Sequence, residues 1–264
     1  MKLINWDCIE EMKKMKSESV DLIIADPDYN IWLKLWEWQV HWETNWKKRW
    51  HWAKRWWEIL QEQELIKFFE EFFRESERIL SKWWNIFVYF STQQIYIIQW
   101  IMSKYFKYQN TIIWDKTTVQ WEYNKKLKFM YEPILHFSKW ETTINIDNIR
   151  VPRDIKDTRK YKTEWQNPWN IWRWQSPRGK NKLTNHPTEK PPFITERLIK
   201  MSTTPWKVFF IPFLWSGRDA DIWIELWLKI IATDTNKGYV DDYIERYKLG
   251  KNYFKIWQER LWVK

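Results

Sequence analysis

The chain alternates short apolar runs with stretches of helical spacing. Val20–Ala25 is an apolar run of the type found in buried parallel strands, and it stops at the turn-rich segment 26–30. Residues 8–15 have helical spacing, and residues 58–80 carry one broad apolar face. Further strands are predicted at 2–5, 85–90, 110–114, 130–137, 207–211 and 229–233, and further helices at 95–105, 192–201 and 218–227. This order predicts an α/β layered sheet.

The length of 264 residues fits a single domain, and the segment at about 139–185 is expected to be an insert within it. The insert is polar and rich in proline. Between Arg150 and Lys182 it holds ten Lys/Arg against three Asp/Glu, a net charge of +7 within a chain of +10. An excess of positive charge concentrated in one segment predicts an anionic partner such as nucleic acid.

Cysteine usage and hydropathy exclude several other classes of protein. Cys8 is the single cysteine, which excludes an internal disulfide framework and a cysteine-based zinc site, and no metal is expected. Acidic residues precede any apolar stretch at the N-terminus, so no secretory signal is predicted. The longest apolar run, 208–215, is far shorter than a membrane span. We therefore expect a cytoplasmic protein that does not interact with membranes.

A first chemical motif, Asp26-Pro27-Asp28-Tyr29, follows the predicted strand Val20–Ala25. Ligands of open α/β sheets bind outside the carboxyl ends of the strands. There, a carboxylate and a prolyl carbonyl can accept the two N–H bonds of a planar amine while an aromatic ring stacks on it. Taken alone, the tetrapeptide is explained equally well by an Asx-Pro turn.

Two further motifs lie in the C-terminal half. Residues 212–217, Pro-Phe-Leu-Trp-Ser-Gly, join a predicted strand to a helix, and Asp234 ends the next strand, which is the plan of a nucleoside-binding βαβ unit. Glycine is scarce in this turn, so in isolation an ordinary βα connection explains it better. Residues 186–191, His-Pro-Thr-Glu-Lys-Pro, lack metal-ligand spacing and alone predict a loop before a helix.

Together, the motifs resemble those of the amino-DNA methyltransferases, the enzymes that methylate adenine N6 or cytosine N4. Segments 26–29, 186–191 and 212–217 are similar to the family's D-P-P-Y, H-P-x-x-K-P and P-F-x-G-S-G, and 5–8 is similar to its N-G-D-C. The order matches the permuted β group, and the resemblance covers essentially the whole chain. It implies a class I methyltransferase (Rossmann-like) sheet with helices on both faces and an inserted recognition region.

The resemblance implies S-adenosylmethionine as cofactor and double-stranded DNA as partner, with a flipped base in the site. The catalytic residues implied are Asp26, Pro27 and Tyr29. The cofactor-binding residues implied are Asp7, Lys190, Phe213, Ser216, Gly217 and Asp234. The basic segment would contact DNA through Arg150, Arg153, Lys156, Arg159, Lys160, Lys162, Arg173, Arg178, Lys180 and Lys182.

An aspartate at the start of the catalytic motif favours adenine N6 as the target. Cytosine N4 is the alternative within the class, an inactive DNA-binding relic is an alternative outside it, and an RNA or protein amine is a third. A restriction–modification setting would add a cognate restriction nuclease as a partner, with the enzyme a monomer or homodimer. Three departures from the family pattern bear on activity: Asp28 for proline, Ile211 for aspartate and Trp215 for glycine.

Tryptophan and glycine have abnormal frequencies. The chain holds 26 Trp and 4 Gly, whereas glycine alone averages about 7% in ordinary proteins. Where such enzymes commonly have glycine, this chain has Trp6, Trp32, Trp84, Trp140, Trp206, Trp215 and Trp227. Since UGA encodes glycine in some bacterial lineages and tryptophan in other codes, we expect many of these positions to be glycine in the natural product. Trp114 follows an apolar strand pattern and is expected to be a genuine tryptophan.

Overall fold

A computed structural model describes residues 1–27, 50–92, 94–117, 130–142, 144–153, 164–177, 184, 189–221 and 227–249, and it describes 50–62 by their backbone alone. Ten strands occur in these ranges: β1 (Lys2–Ile4), β2 (Val20–Ala25), β3 (Leu80–Tyr89), β4 (Lys107–Asp115), β5 (Tyr131–Ser138), β6 (Val151–Pro152), β7 (Trp165–Gln166), β8 (Ile171–Arg173), β9 (Val208–Ile211) and β10 (Lys229–Thr233). The helices are α1 (Cys8–Lys14), α2 (Trp50–Ile79), α3 (Ile95–Met102), α4 (Pro192–Ser202), α5 (Arg218–Asp221) and α6 (Lys237–Lys248), with a 3₁₀ turn at Ile146–Ile149.

Eight strands form the main sheet in the order β1-β10-β9-β2-β3-β5-β4-β8. Strands β1, β10, β9, β2 and β3 are parallel neighbours, β5 is antiparallel to both β3 and β4, and β8 is parallel to β4. Strands β6 and β7 form a separate two-stranded ribbon. The mostly parallel sheet confirms the predicted class I methyltransferase fold.

Helices cover both faces of the sheet. On one face, α1, α2 and α3 pack their apolar residues against one side of the central strands, with Phe69, Phe72 and Phe73 of α2 fully buried. On the other face, α4, α5 and α6 pack against the alternate residues of the same strands, with Leu198 and Tyr243 buried there. This double covering explains why the strands are apolar on both faces.

Most predicted helices and strands are confirmed, and the predicted and observed elements differ mainly in where they begin and end. Strands β2 and β10 have the predicted bounds, but β3 begins at Leu80, which was assigned to the preceding helix. Helix α3 ends at Met102 instead of residue 105, and α2 begins at Trp50 instead of residue 58. The predicted helix 218–227 is described only as far as Asp221.

The segment 139–185 was predicted as an insert without assigned strands. Within it, β8 adds a parallel edge strand to the main sheet beside β4, and β6 pairs with β7. Three-residue strands leave little periodicity to detect in a sequence. Within the described ranges, none of the helices combines the length and apolar character needed to cross a lipid bilayer.

Candidate active site

Three of the predicted site segments lie at one edge of the sheet. Strands β10, β9 and β2 are adjacent and parallel, so their carboxyl ends point the same way. Asp234, the turn 212–217 and Asp26 follow these three ends directly. From β9 the chain continues to its neighbour β10, whereas from β2 it continues to β3, which lies in the opposite direction along the sheet. The gap between β9 and β2 is therefore the topological switch point, where open α/β sheets bind ligands.

Asp26 belongs to a buried ionic cluster. The Lys190 ammonium lies 3.0 Å from the Asp26 carboxylate and also hydrogen-bonds Glu132 of β5. Lys116 contacts the other oxygen of Glu132 at 2.6 Å. Asp26, Glu132 and Lys190 are each less than a tenth exposed. Each buried charge therefore faces an opposite one, which is the condition for keeping such groups charged.

The pKa values within this cluster follow from the competition between burial and charge. Burial by itself lowers the pKa of Lys190, but the charges of Asp26 and Glu132 outweigh it and raise that pKa above its ordinary value. Burial raises the pKa of Glu132, but Lys190 and Lys116 outweigh it and bring the pKa to about 2. The Lys190 ammonium is thus a fixed positive charge beside Asp26.

A second set of buried polar contacts involves Glu189, the neighbour of Lys190 in the chain, and helices α4 and α5. Glu189, the preceding residue, forms an ion pair of 2.6 Å with Arg218 at the start of α5. Asp219, the next residue of α5, accepts a 2.6 Å hydrogen bond from the Thr195 hydroxyl of α4, and burial raises its pKa. These contacts tie α4 to α5 and set the position of Lys190.

The turn after β9 is organised around Asp234. The Asp234 carboxylate accepts hydrogen bonds from the backbone N–H of Trp215 at 2.9 Å and of Asn236 at 2.8 Å. Burial raises the pKa of Asp234, and these backbone hydrogen bonds oppose the rise. In the same turn, Gly217 has φ of 68°, and a Cβ there would come within 2.0 Å of the Tyr243 ring. Glycine is therefore required at 217 by both conformation and space.

One side chain joins the two regions. The indole N–H of Trp215 donates to the backbone carbonyl of Asp26 at 2.5 Å, while the backbone N–H of Trp215 donates to Asp234. The acidic residue after β2 and the turn after β9 therefore face the same crevice, as the proposed site requires. The same contact places an indole across that crevice.

Three other predicted cofactor-binding residues, Asp7, Phe213 and Ser216, contact other parts of the protein. The Asp7 carboxylate caps α1 by accepting from the backbone N–H groups of Ile9 and Glu10. Phe213 packs its ring against Phe72 of α2, with 5.8 Å between ring centroids. Ser216 is buried, and its carbonyl accepts a hydrogen bond from Arg246.

Sequence reasoning missed two residues at this edge. Glu132 is the one acidic residue in the predicted strand 130–137, and an acidic side chain in a mostly apolar strand was the available signal. Asn5, at the end of β1, donates through its side-chain amide to the carbonyl of Asp234 at 2.9 Å. In the sequence, Asn5 stands out only as the first residue of the motif at 5–8. Ile211 is buried at the end of β9, where the family pattern has an aspartate.

The predicted DNA-binding residues are described in part. Arg150 pairs with Asp147 at 2.6 Å, and Arg173 is exposed and pairs with Asp115 at 2.8 Å. Arg153 lies just after β6, and its backbone N–H bonds to Glu164. Outside the described residues lie Asp28, Tyr29, Lys156, Arg159, Lys160, Lys162, Arg178, Lys180, Lys182 and His186. Among the described residues, no group of three or more His, Cys, Asp or Glu side chains could hold a metal ion.

Comparisons with known proteins agree with this geometry. The chain is 28% identical over 264 residues to the DNA adenine methyltransferase YhdJ of Escherichia coli (strain K12), covering 95% of this chain and 84% of that protein. Among solved structures, the cytosine-N4-specific PvuII DNA methyltransferase superposes with a TM-score of 0.70 at 16% identity, covering 96% of this chain and 91% of that one. The M1.HpyAVI–SAM complex gives a TM-score of 0.61 at 18% identity, covering 93% and 98%. Residues 20–246 match the family described as DNA methylase (N6_N4_Mtase), and the chain therefore belongs to that family.

Proposed function

We propose that this protein transfers a methyl group from S-adenosylmethionine to N6 of an adenine flipped out of double-stranded DNA. The observation that carries the proposal is the placement of Asp26 and Asp234 at the ends of β2 and β10, the two strands that flank β9. Trp215, in the turn after β9, hydrogen-bonds both residues. An acceptor for the target amine and an acid for a nucleoside then face one crevice at the switch point of the sheet.

Asp26 is suited to binding an exocyclic amine. Such an amine is a poor nucleophile because its lone pair is delocalised into the base ring. A carboxylate that accepts one N–H and the Pro27 carbonyl that accepts the other would favour a tetrahedral nitrogen. The Lys190 ammonium, 3.0 Å away, stabilises the negative charge of the carboxylate and fixes its position. Tyr29 is proposed to stack on the flipped base.

The cofactor, when bound, supplies an electrophilic methyl group. Asp234 fits the ribose hydroxyls of such a ligand, since its oxygens keep further lone pairs beyond the two backbone N–H groups they accept from. Asp7, Lys190, Phe213, Ser216 and Gly217 are proposed to line the remainder. The indole of Trp215 does not fit, because it spans the crevice from the turn to the carbonyl of Asp26.

No covalent enzyme intermediate is required for this chemistry. Cys8 is buried, and burial raises the pKa of its thiol well above its ordinary range. A thiol that stays protonated is a poor nucleophile. Rate acceleration is therefore assigned to orientation and electrostatics at Asp26.

DNA binding is assigned to the basic segment 150–182. Arg150, Arg153 and Arg173 are its described cations, and Arg173 is largely exposed despite its pairing with Asp115. Contacts of such side chains with phosphates release counterions, so binding should weaken steeply as salt is raised. Cytosine N4 is the second candidate target, supported by the fold likeness to a cytosine-N4-specific enzyme.

Modified-base sequencing of DNA from the source organism, with the gene intact and deleted, tests the proposal. We expect N6-methyladenine at one recurring sequence, lost on deletion and restored by the intact gene. Loss of N4-methylcytosine instead would establish the second candidate. An unchanged methylation pattern would contradict both and favour the DNA-binding relic. An Asp26→Asn gene should fail to restore the mark, whereas an Asp21→Asn gene, altered at the other end of β2, should restore it.

A further inference from the structure

In the part of the chain that the structure describes, left-handed backbone conformations occur mostly at tryptophan. Among the described residues, six that are not glycine have positive φ, and four of them are tryptophans. The four φ values are 72° at Trp83, 71° at Trp206, 46° at Trp215 and 53° at Trp227. A bulky side chain in this region is a genuine outlier, since its Cβ crowds the backbone, whereas glycine adopts it freely.

Each of the four sits where a chain reverses or bulges. Trp83 lies in an irregular stretch of β3, where the register against β2 jumps from Leu80 to Asn85. Trp206 and Trp227 immediately precede the β9 and β10 regions and bond to each other through backbone N–H and carbonyl at 3.0 Å. Trp215 shares its turn with Gly217, whose φ of 68° is of the same kind. Turns and bulges of this type are the places where glycine is normally found.

The indoles at three of these positions gain little from packing. Trp83, Trp206 and Trp227 are 47%, 65% and 61% exposed. The rings of Trp206 and Trp227 lie mainly against each other, with centroids 5.6 Å apart. Large apolar side chains that remain this exposed do not contribute the burial that would compensate for a strained backbone.

Two other tryptophans show what a well-accommodated indole looks like in this fold. Trp114 and Trp172 face each other in paired strands β4 and β8 and are 2% and 4% exposed. Their indole N–H groups donate at 2.8 Å to the carbonyls of Trp174 and Trp169. Neither has positive φ. Trp114 and Trp172 therefore differ from the four tryptophans with left-handed backbone in conformation, and from Trp83, Trp206 and Trp227 also in burial.

We propose that positions 83, 206, 215 and 227 are glycine in the protein made by its own organism, while 114 and 172 are tryptophan. A UGA codon that the organism reads as glycine accounts for the first class, and UGG for the second. At position 215, glycine would remove the indole that spans from the turn to Asp26 and open the crevice. The effect on cofactor binding rests on the proposed function, whereas the identity of the residues does not.

Of the positions expected to be glycine, Trp206, Trp215 and Trp227 have left-handed φ. In the pair Trp83-Trp84, it is Trp83 that has left-handed φ. Trp6 and Trp140 have ordinary φ, so their conformation does not assign them to the glycine class. Trp32 lies outside the described residues.

Peptide mass spectrometry of the protein isolated from its own organism is the direct test. We expect peptides spanning 83, 206, 215 and 227 to be lighter by the difference between tryptophan and glycine, and peptides spanning 114 and 172 to carry tryptophan. Tryptophan at 215 or at two of the other three positions overturns the proposal. The readout does not depend on activity, so a protein with glycine at 215 that leaves DNA unmethylated would refute the proposed function alone.

Variants made in the tryptophan-containing chain test whether glycine suits these positions better than tryptophan. Trp215→Gly should bind S-adenosylhomocysteine at least ten-fold more tightly by calorimetry than the parent chain. Trp206→Gly/Trp227→Gly should raise the midpoint of thermal unfolding and leave binding unchanged, whereas Trp114→Gly should lower that midpoint. Equal binding by parent and Trp215→Gly, or a lower midpoint for the Trp206→Gly/Trp227→Gly chain, would contradict the assignment of these positions to glycine.

Discussion

The proposed active-site crevice has two halves, a substrate half after β2 and a cofactor half after β9 and β10, which differ in how completely they are built. After β2, Asp26 lies in a cluster in which Lys190 and Glu132 are buried and matched in charge. After β9, the turn 212–217 contains Gly217 and hydrogen-bonds Asp234, the acid that follows β10, but the Trp215 indole crosses the space. The substrate half is thus assembled by ion pairs from distant segments, while the cofactor half depends on the residue at a single backbone position.

The largest expected effect is on the substrate half. Asp26→Asn removes the charge that we propose polarises the target amine, while Lys190 keeps its contact with Glu132. We expect transfer of labelled methyl groups to DNA, measured in the Trp215→Gly chain, to fall about a thousand-fold. Asp21→Asn, at the start of the same strand, is the matched control and should transfer normally. A fall of less than about ten-fold would remove Asp26 from the catalytic role.

Stability of the substrate half should depend on Glu132. Glu132→Gln leaves the buried Lys190 with less opposing charge, and we expect the free energy of unfolding in urea to fall by about 3 kcal/mol. The control is Glu141→Gln, which breaks an exposed pair with Lys107 and should leave the free energy of unfolding nearly unchanged. Equal losses in the two variants would show that the buried cluster is no more important than a surface ion pair.

A substitution in the cofactor half should change mainly the affinity for the cofactor. Asp234→Asn keeps an acceptor for the turn but removes the charge proposed to bind ribose hydroxyls. In the Trp215→Gly chain, we expect the Kd for S-adenosylhomocysteine to rise about 30-fold, with a smaller change in the rate at saturating cofactor. A change confined to that rate would place Asp234 outside the cofactor site and erase the distinction between the two halves.

A group outside both halves should govern stability in mild acid. Burial lowers the pKa of His136 to about 3, and its ring is stacked on Phe87. The unfolded chain, with an ordinary histidine pKa near 6.5, binds a proton that the folded chain does not, so stability falls as pH drops below about 6.5. Between pH 7 and pH 5 we expect a loss of about 2 kcal/mol.

His136→Phe should remove most of this pH dependence, and Asn85 would keep its hydrogen bond from Thr142. Urea unfolding at pH 5, 6 and 7 measures the slope in both proteins. The same slope in His136→Phe as in the parent would assign the acid sensitivity to other groups.

Local pattern was sufficient for the elements that carry the site. The bounds of β2 and β10 were predicted correctly because fully buried parallel strands are continuous apolar runs, and each ends at an aspartate. The sheet class followed from the alternation of strands and helices. Strand β8 was missed because three residues carry too little periodicity to predict a strand.

The sequence by itself determined which residues follow the strands: Asp26 after β2, the turn after β9 and Asp234 after β10. Only the tertiary structure decided that Glu132 joins Lys190, that Asn5 contacts the Asp234 loop, and that Trp215 reaches Asp26. It also separated the tryptophans with left-handed backbone from those buried in strands. The reason is physical: strand propensity is local, whereas strand order, burial and a residue's φ are set by contacts between segments far apart in the chain.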